Sequence, residues 1–312
     1  MEKIKRILGI PAIKIRKTEN YEKRYFLGVQ YKIKKFSHRY ETFLEAFEEN
    51  VNRLSNKNIR VILNNLGEAL IYARTEKYWY KKGMLVFGTK RQHADIFKMY
   101  APEIPVFFCG EGPLTENIND KNNNHIEAVL YNNKLIEMNN KKQPFLKSWE
   151  EYLGTNFSNL KYKKAFITEE DRKLALSKAK LLGVTLSKFV FLIPFARSMS
   201  LLPEQFWKNI EHELKEKGYD VIYNSKMFTI KEAYVLAEMS KGIISLRSGF
   251  NDVLSEIKTP QHIIYTNNRW HGDLEPMYSF NYFPWAEKDF IKEYNTSHKT
   301  IEKIENDIIY GF

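Results

Sequence analysis

The chain has 312 residues, 43% of them hydrophobic and 14% aromatic, with a formal net charge of +11. That length exceeds what one small core needs and suits two domains of about 150 residues each, while a single cysteine, Cys109, excludes an internal disulfide framework. The longest apolar run, Phe189 to Ala196, contains Pro194 and is far short of the ~20 residues of a spanning helix; the start, Met1 to Arg6, leads only into a short apolar stretch broken by Pro11 and Lys14, so neither a membrane span nor a secretory signal is read and a cytoplasmic location is expected.

The charge is concentrated at the start. Residues 1–40 hold twelve Lys/Arg against three Glu, which leaves the rest of the chain nearly neutral. Within this stretch Ile7 to Lys17 and Phe26 to Lys35 form a near-repeat, each copy ending in alternating apolar and basic residues, the period of a strand with one wet face. The polar Thr18 to Arg24 between them reads as a hairpin connection or a short helix. Two readings stand for this basic arm. It is a solvated β-ribbon, or it is a surface that meets anionic lipid headgroups on the inner face of the cytoplasmic membrane, where clustered Lys/Arg are worth roughly 1 kcal/mol each.

From residue 41 onward a first α/β layer is expected, over 41–165. Phe43, Leu44, Phe47, Val51 and Leu54 recur at helical spacing. Ile59 to Leu63 is a short buried strand, followed by the turn Asn64-Asn65-Leu66-Gly67-Glu68 and a helix. Met84 to Thr89 and Pro105 to Phe108 are further strands, with a helix over Gln92 to Tyr100 between them. Residues 110–145 are polar and rich in Asn, with Ile126 to Leu130 and Lys134 to Met138 as a strand–turn–strand. Phe145 to Leu153 is helical, and the domain junction is placed within residues 154–170.

The second layer, 166–290, is more sharply punctuated. Thr168 caps a helix with carboxylates in its first turn. Phe189 to Pro194 is a strand buried on both faces. Pro203 to Lys217, Thr229 to Met239 and Asn251 to Ile257 are helices; Asp220 to Tyr223, Gly242 to Leu246 and His262 to Tyr265 are strands. Strands alternating with helices imply parallel sheets. The predicted class is therefore α/β, with two Rossmann-like domains whose parallel sheets face across a cleft, a basic N-terminal ribbon or arm, and a C-terminal helical segment over 291–312.

In parallel sheets, ligands lie beyond the carboxyl ends of strands. Three such ends carry chemistry. Arg197 and Ser198 follow the strand at 189–194 and suit a diphosphate, one as a charged fork and the other as a hydroxyl donor, unless Arg197 pairs with a neighbouring carboxylate instead. Arg247, Ser248 and Gly249 follow the strand at 242–246, where glycine lets backbone approach a ligand. Asp252 just beyond is a first-turn carboxylate or an orienter of Arg247. Asn65, Gly67 and Glu68 follow the first strand of the first layer. Glu68 is either a general base for an acceptor hydroxyl or a carboxylate that complements a helix dipole.

Several site types are missing from the sequence: no glycine-rich dinucleotide fingerprint, no phosphate-loop lysine motif, no nucleophile elbow, and no His/Cys spacing for zinc. There is no Asp-x-Asp pair of the kind that holds a divalent ion on a donor diphosphate, so no metal or cofactor is expected, and protein cations and helix ends would neutralise a leaving group.

The pattern resembles the GT-B glycosyltransferases, and most of all the bacterial ADP-heptose lipopolysaccharide heptosyltransferase type. The resemblance is strongest over residues 166–266. There, Phe189 to Ile210, with Pro203, Phe206 and Trp207, is similar to that family's strand–loop–helix, and Ser248-Gly249 matches its Ser/Thr-Gly strand end. Arg247 stands where the family has Asp, and Asp252 where it has His, which leaves the donor sugar and base open. Gly67-Glu68 is similar to the family's Gly-Asp turn with its proposed base. The resemblance implies a metal-independent, inverting transfer of sugar from a nucleotide-diphosphate donor, held by the C-terminal half through Arg197, Ser198, Arg247, Ser248, Gly249 and Asp252. The acceptor, a lipid-linked or surface glycan of capsule, lipopolysaccharide or O-antigen, would approach Asn65, Gly67 and the catalytic Glu68. Two alternatives stay open: a nucleotide-sugar epimerase on the same fold, and a non-enzymatic nucleic-acid-binding protein that uses the basic arm. No recognised nucleic-acid motif supports the latter, and no nucleic acid partner is expected.

Overall fold

The computed structural model describes residues 2–7, 10–17, 21–26, 29–35, 58–62, 65–88, 90–108, 125–128, 143–225, 227–267, 273 and 275–312. The expected helix over 40–54, the expected strand at Lys134 to Met138 and the side chains of the basic arm, on which its lipid-surface reading rests, lie outside what is described. The chain divides into two compact units, Met1–Lys57 with Cys109–His125, and Asn58–Phe108 with Ile126–Phe312. The domain junction expected within 154–170 is a connection inside the second unit.

In the first unit four strands pair antiparallel in sequence order: β1 (Glu2–Ile7), β2 (Ile10–Lys17), β3 (Tyr21–Phe26) and β4 (Val29–Lys35). Tyr21–Phe26, which overlaps the expected connection over Thr18 to Arg24, is a strand in its own right; a register shift between Lys5 and Arg6 interrupts the β1–β2 ladder, and one between Arg24 and Tyr25 the β3–β4 ladder.

The second unit contains two sheets. The first has the order β7-β6-β5-β8, with β5 (Asn58–Ile62), β6 (Leu85–Gly88), β7 (Val106–Phe108) and β8 (His125–Ala128); β5, β6 and β7 run parallel. Helix α1 (Leu66–Arg74) follows β5, α2 (Glu76–Trp79) continues from it, and α3 (Arg91–Tyr100) follows β6. Helix α4 (Phe145–Leu153) ends at Gly154, whose φ of 65° is the left-handed cap glycine adopts at little cost. The second sheet is all parallel, in the order β10-β9-β11-β12-β13. Its strands are β9 (Phe189–Ile193), β10 (Asp220–Tyr223), β11 (Ile243–Leu246), β12 (Gln261–Tyr265) and β13 (Ile291–Asn295). Every residue of β9, β11 and β12 is buried, as a continuous apolar run in a two-sided parallel sheet requires.

The helices of this half are α5 (Glu169–Leu181), α6 (Glu204–Glu216), α7 (Ile230–Met239), α8 (Gly249–Leu254), α9 (Glu275–Tyr278) and α10 (Ile301–Tyr310). Helix α6 buries Phe206, Trp207, Ile210 and Leu214, a single stripe at helical spacing. Thr168 closes a capping box with Asp171 on α5, and Thr229 one with Glu232 on α7. Each capping carboxylate also takes a lysine from the other helix, Lys231 to Asp171 at 3.0 Å and Lys178 to Glu232 at 2.6 Å.

Two expectations are corrected. Residues 291–312 are not purely helical: Ile291–Asn295 is a fifth strand that pairs with β12 before α10 begins. Its edge position leaves only Tyr294 and Asn295 buried, so the segment lacks the apolar run by which the inner strands are recognised. Helix α8 starts at Gly249 rather than Asn251, because the Asn251 side chain accepts from the Ser248 backbone N–H at 2.7 Å and closes the turn there.

Helix α1 is buried along its length from Gly67 to Arg74 and touches the second half at both ends. At its carboxyl end the Arg74 guanidinium meets Glu256 at 2.5 Å. The other Glu256 oxygen accepts from the Tyr100 hydroxyl at 2.8 Å, the Tyr234 hydroxyl at 3.1 Å and the Ala165 N–H at 3.1 Å. The guanidinium carbon lies 4.4 Å from the Tyr100 ring centre and 5.0 Å from that of Trp285. Both charges are thus desolvated but surrounded by partners, the condition under which a buried pair holds.

Candidate active site

The strand order places the site. In the second sheet the chain leaves β9 for β10 on one side and returns to β11 on the other, so the order reverses between β9 and β11. Loops diverge at such a point and leave a crevice beyond the carboxyl ends of the two strands. The segments that open there are 194–203 after β9 and 247–248 after β11. Both carry residues singled out in the sequence. Arg197 is exposed, and no carboxylate holds it among the described residues. Ser198 is half-buried beside it. The β9 loop is anchored farther on: the Ser200 N–H donates to the Asn267 carbonyl at 2.9 Å, and the Thr266 hydroxyl to the Ser200 carbonyl at 2.6 Å.

At the end of β11 the expectation for Arg247 is corrected. Its side chain is only 5% exposed and its donors face inward. Nη2 meets Asp252 Oδ1 at 2.5 Å, Nη1 donates to the Ser248 carbonyl at 2.5 Å, and the Tyr278 carbonyl lies 3.3 Å from Nη2. The guanidinium carbon is 4.6 Å from the Phe280 ring centre. A guanidinium with those acceptors is part of the wall, not a fork held out to a ligand. Asp252 is its partner, the orienting role that its position allowed. Burial pushes the Asp252 carboxyl up to about 6 against the pull of Arg247, which leaves the two as an ion pair at neutral pH. Ser248 and Gly249 remain half-buried at the rim, with the Ser248 hydroxyl donating to Asn251 at 3.0 Å.

The first sheet brings its own strand end to the same place. Helix α1 begins immediately beyond β5, and its first turn lies directly on that of α8. A Cβ on Gly249 would stand 2.7 Å from the Gly67 backbone nitrogen and 3.3 Å from Leu66 Cβ, and a Cβ on Gly67 would overlap Asp252 Oδ2. Only two glycines permit that approach. The carboxyl end of β5 and the carboxyl end of β11 therefore meet.

Glu68 follows Gly67 at this junction and is 4% exposed. Asn65 Nδ2 donates to its Oε1 at 3.2 Å, while Oε2 is buried with no hydrogen-bond partner among the described residues. Burial pushes the carboxyl from 4.5 up to about 7; the Asn65 hydrogen bond and the positive charge of Lys90, two residues past β6, pull it down. A carboxyl poised near neutrality with one bare oxygen has the character of a general acid or base. Burial, and after it the nearby Glu68 charge, raise the phenol of Tyr278 on α9, and its ring stacks on Phe145 of α4 with centroids 4.6 Å apart. Behind Lys90, burial holds His93 neutral, down at about 3.

Lys90 and Tyr278 are additions to the sequence reading. Lys90 had a signal, since it follows a strand end as Arg197 and Arg247 do. Tyr278 had none: it belongs to an aromatic tract without periodicity. That tract is tied to the edge strand β13, where Glu293 accepts from the Tyr265 hydroxyl at 2.5 Å, the Ser279 hydroxyl at 2.7 Å and the Phe280 N–H at 3.1 Å.

The Glu68 shift sets a pH dependence of stability. A carboxyl raised from 4.5 to about 7 binds its proton more tightly folded than unfolded. Its contribution is full below pH 4.5 and is lost as pH rises through 7, a loss of roughly 3 kcal/mol at most. Glutamine carries no such proton. The Glu68→Gln variant is therefore expected to gain melting temperature relative to wild type between pH 5 and pH 8. A difference that stays constant over that interval would show that Glu68 ionises at its ordinary value.

No family model matches the chain, and no curated protein matches it. Among solved structures, it is similar to the ADP-heptose lipopolysaccharide heptosyltransferase II of E. coli, with 10% identity over 81% of this chain and 99% of that one and a TM-score of 0.46. A glycosyl transferase family 9 protein from Veillonella parvula matches with 13% identity over 81% and 92% of the two chains, TM-score 0.44. The dodecameric iron-containing glycosyltransferase TibC of enterotoxigenic E. coli matches with 14% identity over 78% and 66%, TM-score 0.41. At these TM-scores the likenesses carry no inference about chemistry.

Proposed function

We propose that the chain is a glycosyltransferase that takes a nucleotide-diphosphate sugar at the carboxyl ends of β9 and β11 and moves the sugar to a hydroxyl of a bacterial surface glycan. The observation that carries the reading is the contact of the first turn of α1 with that of α8 at Gly67 and Gly249, which brings a carboxyl poised near neutrality to the strand end that carries Ser248; the exposed Arg197 follows the neighbouring strand β9. In this reading Arg197 and Ser198 hold the diphosphate, with Ser248 and Gly249 at the rim. Arg247 and Asp252 shape the wall, and Asn65 and Gly67 line the acceptor side. Glu68 takes the proton of the acceptor hydroxyl as its oxygen bonds to the anomeric carbon. The bond from that carbon to the diphosphate oxygen breaks with its electron pair on the nucleotide diphosphate, whose charge Arg197 meets. Attack from the face opposite the leaving group inverts the anomeric centre.

The reading is tested by incubating the protein with nucleotide sugars, with and without glycan acceptors. Release of nucleotide diphosphate coupled to an extended acceptor is expected. An isomeric free nucleotide sugar formed from donor alone would make the protein an epimerase instead. Arg197→Ala is expected to weaken nucleotide-diphosphate binding about 10- to 100-fold by calorimetry, the value of a charge-assisted hydrogen bond. Its melting temperature should not change, because the side chain is exposed. Unchanged affinity would remove Arg197 from the site.

A further inference from the structure

The contact between α1 and α8 does more than join two halves. Asp252 uses its two oxygens on different partners: Oδ1 takes Arg247 at 2.5 Å, and Oδ2 faces the Gly67 backbone so closely that a methyl group has no room. Arg247 is in turn fixed by the Ser248 and Tyr278 carbonyls, on α8's own cap and on α9. The Trp285 indole N–H reaches the Asp252 carbonyl at 3.4 Å. The first turn of α1, which carries Glu68, is thus seated on a carboxylate that is itself held on several sides. We infer that Asp252 is a positioning residue: through the Gly67–Gly249 contact it seats the first turn of α1 and fixes where the Glu68 carboxyl stands at the junction of the two sheets.

The described groups that act on the Glu68 charge are Asn65 on its own turn, Lys90 after β6 and Tyr278 on α9; the Asp252–Arg247 pair on the β11–α8 turn stands against the adjacent Gly67. Lys90 opposes the shift. Burial is the largest cause of it, so close packing of the two first turns is what a wedge should loosen. The inference gains its catalytic meaning from the proposed role of Glu68, but its test needs no turnover.

The titration of Glu68 is read on the full-length protein by infrared difference against Glu68→Gln, which isolates the single carboxyl band. Gly67→Ala and Gly249→Ala drive a methyl into the contact from opposite sides. Each is expected to admit water and lower the Glu68 midpoint by about one pH unit or more. Asp252→Asn keeps the shape, removes the charge that holds Arg247, and is expected to move the midpoint the same way. It decides the matter where a glycine variant does not fold. Gly242→Ala serves as control, since its methyl would overlap the Phe312 ring at the amino end of β11. It should cost stability and leave the midpoint in place. A midpoint unmoved in folded Gly67→Ala, Gly249→Ala or Asp252→Asn protein overturns the inference, as does an equal shift in Gly242→Ala. If Glu68→Gln retained turnover while the wedges still moved the titration, the base assignment would fall and the positioning role would stand.

Discussion

Glu68→Gln is expected to lower transfer by about 10²–10⁴-fold while nucleotide-diphosphate affinity stays within a factor of about two. The substitution keeps the volume and the Asn65 hydrogen bond but removes the proton acceptor. The carboxyl is well suited to that task because about 7 lies close to a neutral working pH: enough is ionised to accept a proton, and the ionised form is basic enough to hold it. An ordinary exposed glutamate at 4.5 would be a far weaker base. The pH profile of the wild type should therefore rise through about 7 on its acid limb, and the residual activity of Glu68→Gln should lack that limb. A variant that retains near-normal turnover would exclude the role.

Glu256→Ala is expected to destabilise the fold by about 3–5 kcal/mol, seen as a lower urea midpoint with little change in the denaturant slope. The cost does not come from the lost ion pair alone. Arg74 would be left charged among the Tyr100, Tyr162 and Trp285 rings, and the Tyr100 and Tyr234 hydroxyls and the Ala165 N–H would lose their acceptor. Because Arg74 ends the helix that Glu68 begins, the variant loosens α1 at the opposite end from the candidate site. A loss below about 1 kcal/mol would mean that water or another group already satisfies the cluster.

The amino-acid sequence foretells the second sheet better than the first. Phe189–Ile193 and Gly242–Leu246 are apolar runs between turn residues, and Thr168, Thr229 and Gly218 mark helix ends by side-chain and backbone chemistry that acts locally. The edge strand Ile291–Asn295 escapes because an edge needs no apolar run. The candidate residues follow the same divide. Glu68, Arg197, Ser248 and Gly249 are singled out by their place after strands, a local property. That Arg247 turns inward depends on Asp252 and the Tyr278 carbonyl, and the latter arrives from a segment with no periodic signal. The closeness of Gly67 and Gly249, 182 positions apart, is a long-range contact that neither tripeptide announces. Each glycine reads by itself as a turn residue, and only their packing shows why a side chain is excluded at both.

The central claim is that a nucleotide diphosphate occupies the crevice where the strand order reverses, between β9 and β11. The most direct measurement is a melting-temperature screen of the full chain against ADP, UDP, GDP, CDP and their sugar conjugates. A ligand that binds only the folded state at about a hundredfold excess over its Kd adds about 2.7 kcal/mol, a rise on the order of 5 °C. At least one nucleotide is expected to give such a rise in wild type and a clearly smaller one in Arg197→Ala. No rise with any nucleotide, or a rise that Arg197→Ala leaves intact, would contradict the claim.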